Sequence, residues 1–148
     1  MSEGDPGCRD LADRFERFEL STDGFSHRAH VAVGFAMLRR YSFLEATQRF
    51  ASTLHTMASA AGAADKYNTT ITVAFMALIF ERMSADAVFD AGADAEARKP
   101  VSFDEFCAAN PDLLASGTLT ALYSPARLSS SAARAGFVLP DRPAVVSG

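Results

Sequence analysis

His27 and His30 are the most pointed chemical signal in the chain. Spaced i, i+3 at the start of a helical stretch, they project from one face, which also carries Val31 and Gly34. Imidazole titrates near pH ~6.5 when unperturbed, so two converging rings can divide acid and base roles or share a divalent cation. A second cluster, Asp65-Lys66-Tyr67-Asn68-Thr69-Thr70-Ile71-Thr72, opens the most apolar segment of the chain. On a helix beginning near residue 66, Tyr67, Thr70 and Ala74 share a stripe that Glu81 continues. If that stripe faces His27 and His30, it makes an interior polar pocket beside a helix N-terminus, a setting suited to an anionic group. Buried polar groups cost stability unless hydrogen-bonded, so the coincidence of two such clusters points to a site. The expected roles are catalytic for His27, His30 and Tyr67, and substrate-binding for Lys66, Asn68, Thr70 and Glu81. Tyr123 and Arg127, flanking Ser124, are candidates for closing one end of the pocket.

Each of these residues also has a purely structural reading. Asp65 can cap its helix, Lys66 and Asn68 can be solvated, and the threonines can bond back to helical carbonyls. One histidine can sit at the helix start while the other packs as a satisfied core residue. His55 lies beside the apolar stripe of its helix and reads as surface, and Glu81-Arg82 reads as a terminal ion pair. Tyr123 and Arg127 can equally serve local packing around a cap. The chain contains no HExxH, GxSxG, Walker, GxGxxG or EF-hand sequence, which removes zinc-protease, serine-hydrolase and nucleotide-binding readings. Paired Glu-x-x-His segments, as di-iron bundles require, are also missing. Structural zinc takes four protein ligands and catalytic zinc three plus water. Two histidines on one turn fall short of that, so no metal or other cofactor is expected; the alternative is a divalent ion at His27 and His30.

The elements that must position these groups read as helices. Leu11, Phe15 and Phe18 recur at helical spacing between Cys8 and Leu20, before a break at Thr22-Asp23-Gly24. Ser26 caps a helix to about residue 40, ending on Arg39 and Arg40, where cations suit the helix dipole. Ser42 and Glu45 form a capping-box pattern opening a helix over 43–61, which Gly62 terminates in the left-handed conformation. The β-branched run Thr69–Val73 would suit a strand by itself. Its apolar character nevertheless persists through Phe80, too far for a typical strand, which predicts a central helix over 66–83. Residues 84–99 read as a loop or frayed helix end. Ser102 and Glu105 open a short helix that stops at Asn110-Pro111. Short turns follow at 119–123 and at 125–128, where Ser124 is the cap, and Phe137–Pro140 reads as an extended tail. The expected fold is all-α: a compact helical bundle with three principal helices, short C-terminal helices and a surface-laid tail. Residues 1–9 are expected to form a disordered arm and 10–148 a single domain.

Composition narrows the function class. The chain has 148 residues, 49% of them hydrophobic and 22% charged, which suits one folded domain with a single core. Its formal net charge of −4 argues against neutralising nucleic-acid phosphates or lying on an anionic membrane. There are 2 cysteines and no CxxC pair, so neither a disulfide framework nor a zinc ribbon fits. Cys8 falls in the arm expected to be mobile, whereas Cys107 reads as a small packed hydrophobe. The acidic, polar start is unlike a secretory signal, and the Ile71–Phe80 run is shorter than the ~20 residues that span a bilayer. A cytoplasmic monomer or small homo-oligomer is expected, with any exposed remainder of the Phe75–Phe80 surface pairing two copies.

Several short motifs occur in a fixed order. These are Phe25-Ser26-His27-Arg28-Ala29-His30-Val31, Lys66 through Thr72, Asn110-Pro111-Asp112-Leu113-Leu114, Tyr123 through Leu128, and Phe137 through Asp141. From about Phe15 to Asp141 the chain resembles a family of small bacterial proteins with no assigned activity. Their pattern is F-[ST]-H-x-x-H-[LV], K-Y-[HN]-x-T-[IL]-T, N-P-x-L-L, Y-S-x-x-R-L and P-D. The resemblance implies that His27, His30, Tyr67 and Thr70 belong to one site. Where family members often read Y-H-E-T, this chain has Tyr67-Asn68-Thr69-Thr70, without the extra histidine and acid. A metal site would then need Asp23 or Glu81 as a further ligand. The expected function is a small enzyme acting on a small organic substrate by histidine acid/base chemistry, of lyase, isomerase or cyclase type. The alternative is a non-catalytic ligand- or partner-binding module. Catalysis predicts a histidine with a perturbed pKa open to a pocket; the binding module predicts an apolar groove with both histidines peripheral.

Overall fold

The computed structural model describes residues 6–21, 25–89, 102–115 and 117–142. All regular structure among them is helical. The elements are α1 (Pro6–Glu16), α2 (His27–Arg40), α3 (Phe43–Ala60), α4 (Thr69–Phe89), α5 (Phe103–Ala109), α6 (Pro125–Leu128) and α7 (Ser131–Ala135). Tight 3-10 turns lie at Ala64–Lys66, Pro111–Leu114 and Thr118–Ala121. Among the described residues no helix is long and apolar enough to cross a membrane.

α2 sits at the centre of the bundle. Its residues Val31 through Met37 are all buried, and it packs against α1, α3 and α4. Small side chains permit this: a Cβ on Gly34 would lie 3.0 Å from Ile79 Cδ1 and 3.1 Å from Met76 Sδ. α4, expected to be the central helix, instead leaves Ile71 and Phe80 40% exposed.

The caps fix where the helices begin. Ser26 Oγ accepts from the Ala29 amide, and Ser42 Oγ from the Glu45 amide, each at 3.2 Å. Only the serine half of the expected box at Ser42 forms, because the Glu45 carboxylate pairs with Arg49 at 2.9 Å. The box at Ser102 and Glu105 forms in both directions. Gly62 follows α3 at φ 74°, the left-handed conformation expected of it.

Four boundaries differ from the sequence reading. Residues 6–9 belong to α1, not to an arm: proline is tolerated in a first helical turn, and Cys8, Ala12 and Phe15 bury one face. Cys8 Sγ donates to the Ala32 carbonyl at 2.9 Å, so this thiol is packed. α1 ends at Glu16, and Phe18, expected on its apolar stripe, adopts φ 60° and is 57% exposed. α4 begins at Thr69, three residues later than expected, because Asn68 Oδ1 accepts from the Ile71 amide at 3.0 Å and takes the capping role from Asp65. It also continues past residue 83 to Phe89, into the segment read as a loop or frayed helix end. The rest of that loop, the break at 22–24 and residues 1–5 lie outside the described residues.

Candidate functional site

His27 is the first residue of α2, and its Nε2 lies 2.9 Å from the Leu113 carbonyl oxygen. A carbonyl only accepts, so Nε2 carries the hydrogen, and in the neutral ring Nδ1 keeps the lone pair. The ring packs on Phe75 with centroids 5.0 Å apart. His30 follows on the same face, against Phe25 at 4.2 Å and edge-on to Phe50 at 6.2 Å. Among the described residues no group hydrogen-bonds to the His30 ring. Burial, with repulsion from His27 second, lowers its pKa from 6.5 to about 4. Desolvation disfavours the charged form, so His30 is a neutral imidazole at neutral pH.

Both rings line a cavity of about 640 Å³. Its walls are mainly apolar: Phe25, Phe50 of α3, Phe75, Met76 and Ile79 of α4, and Leu119 of a 3-10 turn. Lys66, Tyr67 and Asn68, at the junction leading into α4, also line it. Among the described residues no aspartate or glutamate lines it. The structure thus places five of the nine expected site residues around one cavity: His27, His30, Lys66, Tyr67 and Asn68. Their engagement differs. Asn68 is committed to the fold, since Nδ2 donates to the Leu128 carbonyl at 2.7 Å while Oδ1 caps α4. Tyr67 packs at a tilt against exposed His55 with centroids 4.8 Å apart, and its hydroxyl has no hydrogen-bond partner among the described residues.

The other four do not reach the cavity. Thr70 is fully buried; its Oγ1 donates to the Gly136 carbonyl at 2.7 Å and accepts from the Val138 amide at 3.1 Å. The Tyr123 hydroxyl donates to the Val138 carbonyl at 2.8 Å, and Arg127 Nε to the Leu139 carbonyl at 2.6 Å. Ser124 donates through its amide and hydroxyl to Asp141, holding that carboxyl below its ordinary range. These residues clamp the extended tail rather than close the pocket. Glu81 is exposed. The expected stripe of Tyr67, Thr70, Ala74 and Glu81 fails because Tyr67 precedes the helix, in extended backbone at φ −74° and ψ 138°. The stripe that meets the histidines runs through Thr72, Phe75, Met76 and Ile79.

Among the described residues no three His, Cys, Asp or Glu side chains gather as a metal-ligand set. Asp23, the other suggested ligand, lies outside the described residues. Sequence reasoning also missed Phe25, Phe75 and the Thr118–Thr120 turn as cavity wall. Apolar periodicity marks such side chains as inward-facing, but it cannot separate a cavity lining from solid core. No protein-family model, curated protein or solved structure matches the chain.

Proposed function

We propose that the protein is a small bacterial enzyme that transfers a proton on a small, mainly apolar organic substrate held in this cavity. The step would be of lyase, isomerase or cyclase type. The carrying observation is that both imidazoles line one apolar cavity, and His30 is neutral there with its ring nitrogens unengaged by any described residue. In that role His30 is the proton acceptor. Its basicity is low until the substrate develops negative charge beside it, which raises the pKa of the ring and draws the proton over. His27, oriented by the Leu113 carbonyl, is the second acid/base group. The Tyr67 hydroxyl orients the substrate. No metal is needed for this chemistry, and the acidic balance supports a cytoplasmic monomer or small homo-oligomer without nucleic-acid or membrane partners.

One observation favours a second reading, a non-catalytic ligand-binding module. Among the described residues no carboxylate lines the cavity to sustain an imidazolium, whereas an acid/base histidine works best with a pKa near the operating pH. Incubation with a bacterial small-molecule extract in D2O, followed by mass spectrometry, separates the two. Proton transfer to carbon leaves a one-deuteron mass gain in a discrete metabolite, absent with His30→Gln. A metabolite retained by the protein with no deuterium gain would establish the binding module. Elemental analysis tests the metal alternative: stoichiometric divalent metal, lost in both His27→Ala and His30→Ala, would replace the metal-free mechanism.

A further inference from the structure

The polar groups lining the cavity differ in how many donors the fold has already used. Thr72 Oγ1 donates to the Asn68 carbonyl at 3.0 Å, Thr118 Oγ1 to the Asp112 carbonyl at 2.5 Å and Thr120 Oγ1 to the Gly117 carbonyl at 2.6 Å. Each hydroxyl has one proton to give, so none of the three is a donor to a ligand. The Lys66 ammonium and the Tyr67 hydroxyl have neither hydrogen-bond nor ion-pair partners among the described residues. Asp65, next in sequence to Lys66, makes no ion pair with it and does not line the cavity. Among the described lining residues Lys66 is therefore the single formal charge, and it is positive. Lys66 is exposed, Tyr67 is half-buried, and the half-buried His30 ring packs against Phe25 and Phe50 deeper in the cavity wall.

We propose that the substrate is an amphipathic organic monoanion, its anionic group held at the cavity mouth by Lys66 and Tyr67 and its apolar body directed inward to His30. The inference rests on the acid/base reading of the same cavity and adds the charge and orientation of what enters it. A carboxylate at the mouth stays partly hydrated while accepting from the ammonium and the phenol, so little desolvation is lost. The apolar body covers Phe25, Phe50 and Phe75 and delivers the reacting end to an imidazole that no described residue hydrogen-bonds. The volume is within the ~300–1,000 Å³ range of small-molecule pockets, which suits one fused or substituted ring system rather than a polymer segment. The junction carrying the two mouth residues is held in place: the Lys66 amide donates to the Ala63 carbonyl at 2.9 Å, the Tyr67 amide to the Ala64 carbonyl at 3.1 Å, and Arg134 to the Asp65 carbonyl.

Three probes of one shape and different charge test this on the full chain at pH 8: 2-naphthoate, 2-naphthalenemethanol and 2-naphthylmethylammonium. Calorimetric titration should rank them anion, then alcohol, then cation, with the anion about twofold to fivefold tighter than the alcohol, as an exposed ion pair allows. Lys66→Met should erase the anion's advantage and leave alcohol binding unchanged; Lys66→Arg should restore most of it. Equal affinity for anion and alcohol, equal loss of both in Lys66→Met, or no binding of any probe would overturn the proposal. The deuterium experiment fails independently. His30-dependent exchange without charge preference would leave the acid/base reading standing, whereas charge preference without exchange would leave the anion site standing.

Discussion

In the C-terminal clamp, Tyr123, Ser124, Arg127 and Thr70 each give a side-chain donor to residues 136–141. In the cavity, His30, Tyr67 and Lys66 give none to any described residue. Both groups come from the same short motifs, and both mix aromatic, hydroxyl and cationic side chains. The difference is in their accounts with the backbone. A satisfied buried hydrogen bond contributes a modest net stability, while an orphaned buried group costs about 1–3 kcal/mol. The clamp residues therefore stabilise the fold, whereas on the proposed reading the cavity residues keep their donors for a ligand.

The sharpest test of that division is activity. His30→Gln should reduce deuterium transfer by about 10²–10⁴-fold, the usual contribution of a positioned general base. Tyr123→Phe should leave it unchanged. Loss of transfer in a well-folded Tyr123→Phe protein would break the comparison and draw the clamp into the site.

The next effect is on stability. His30 has a folded-state pKa of about 4 against 6.5 in the unfolded chain, so unfolding takes up a proton between those values. Its contribution is fully present above pH 6.5 and is lost as the pH falls toward 4. The expected loss is roughly 3 kcal/mol, from ~1.36 kcal/mol per pKa unit. Urea midpoints measured across that range should show this slope in the wild type and a flatter one in His30→Phe. A slope unchanged by the substitution would assign it to other groups.

Clamp variants should do the reverse of cavity variants. Thr70→Val keeps the shape but strands the Gly136 carbonyl and the Val138 amide, which should cost about 1–3 kcal/mol in urea unfolding. Affinity for the naphthyl probes should stay the same. Weakened probe binding at unchanged stability would show that the tail shapes the cavity.

The principal helices were legible because their caps are local signals. Ser26, Ser42, Ser102 and Gly62 each act on backbone within three residues or on their own φ. Errors arose where two local signals competed. Asp65 and Asn68 both offer a cap, and only Asn68 also has a tertiary partner, the Leu128 carbonyl, to hold it there. Pro6-Gly7 looks like a break, yet Cys8 and Phe15 gain a buried face against α2 by continuing the helix. The shared face of His27 and His30 follows from i, i+3 spacing and needed nothing long-range. The fate of Thr70 did: its acceptor, the Gly136 carbonyl, is 66 residues away. Residue type says which side chain can donate. Whether the donor is already used is a tertiary fact.

The smallest expected effect lies between the two regions. Arg82 NH1 and NH2 bind the Asp112 carboxylate at 2.9 and 2.6 Å, and NH1 also reaches Asn110 Oδ1 at 2.9 Å. The pair holds the Asp112 carboxyl below its usual range and pins the Pro111–Leu114 turn, whose Leu113 carbonyl orients His27. Exposed ion pairs contribute at most about 1 kcal/mol, so Arg82→Met should barely shift the urea midpoint. Its specific consequence is on His27, for which Arg82 is a positioning residue. In Arg82→Met the His27 ring resonances should move, the exposed His55 resonances should not, and deuterium transfer should fall severalfold. Arg82→Lys should restore part of each. If the His27 signals stay in place, Arg82 belongs with the clamp as a surface stabiliser, and the Leu113 carbonyl holds the imidazole without its help.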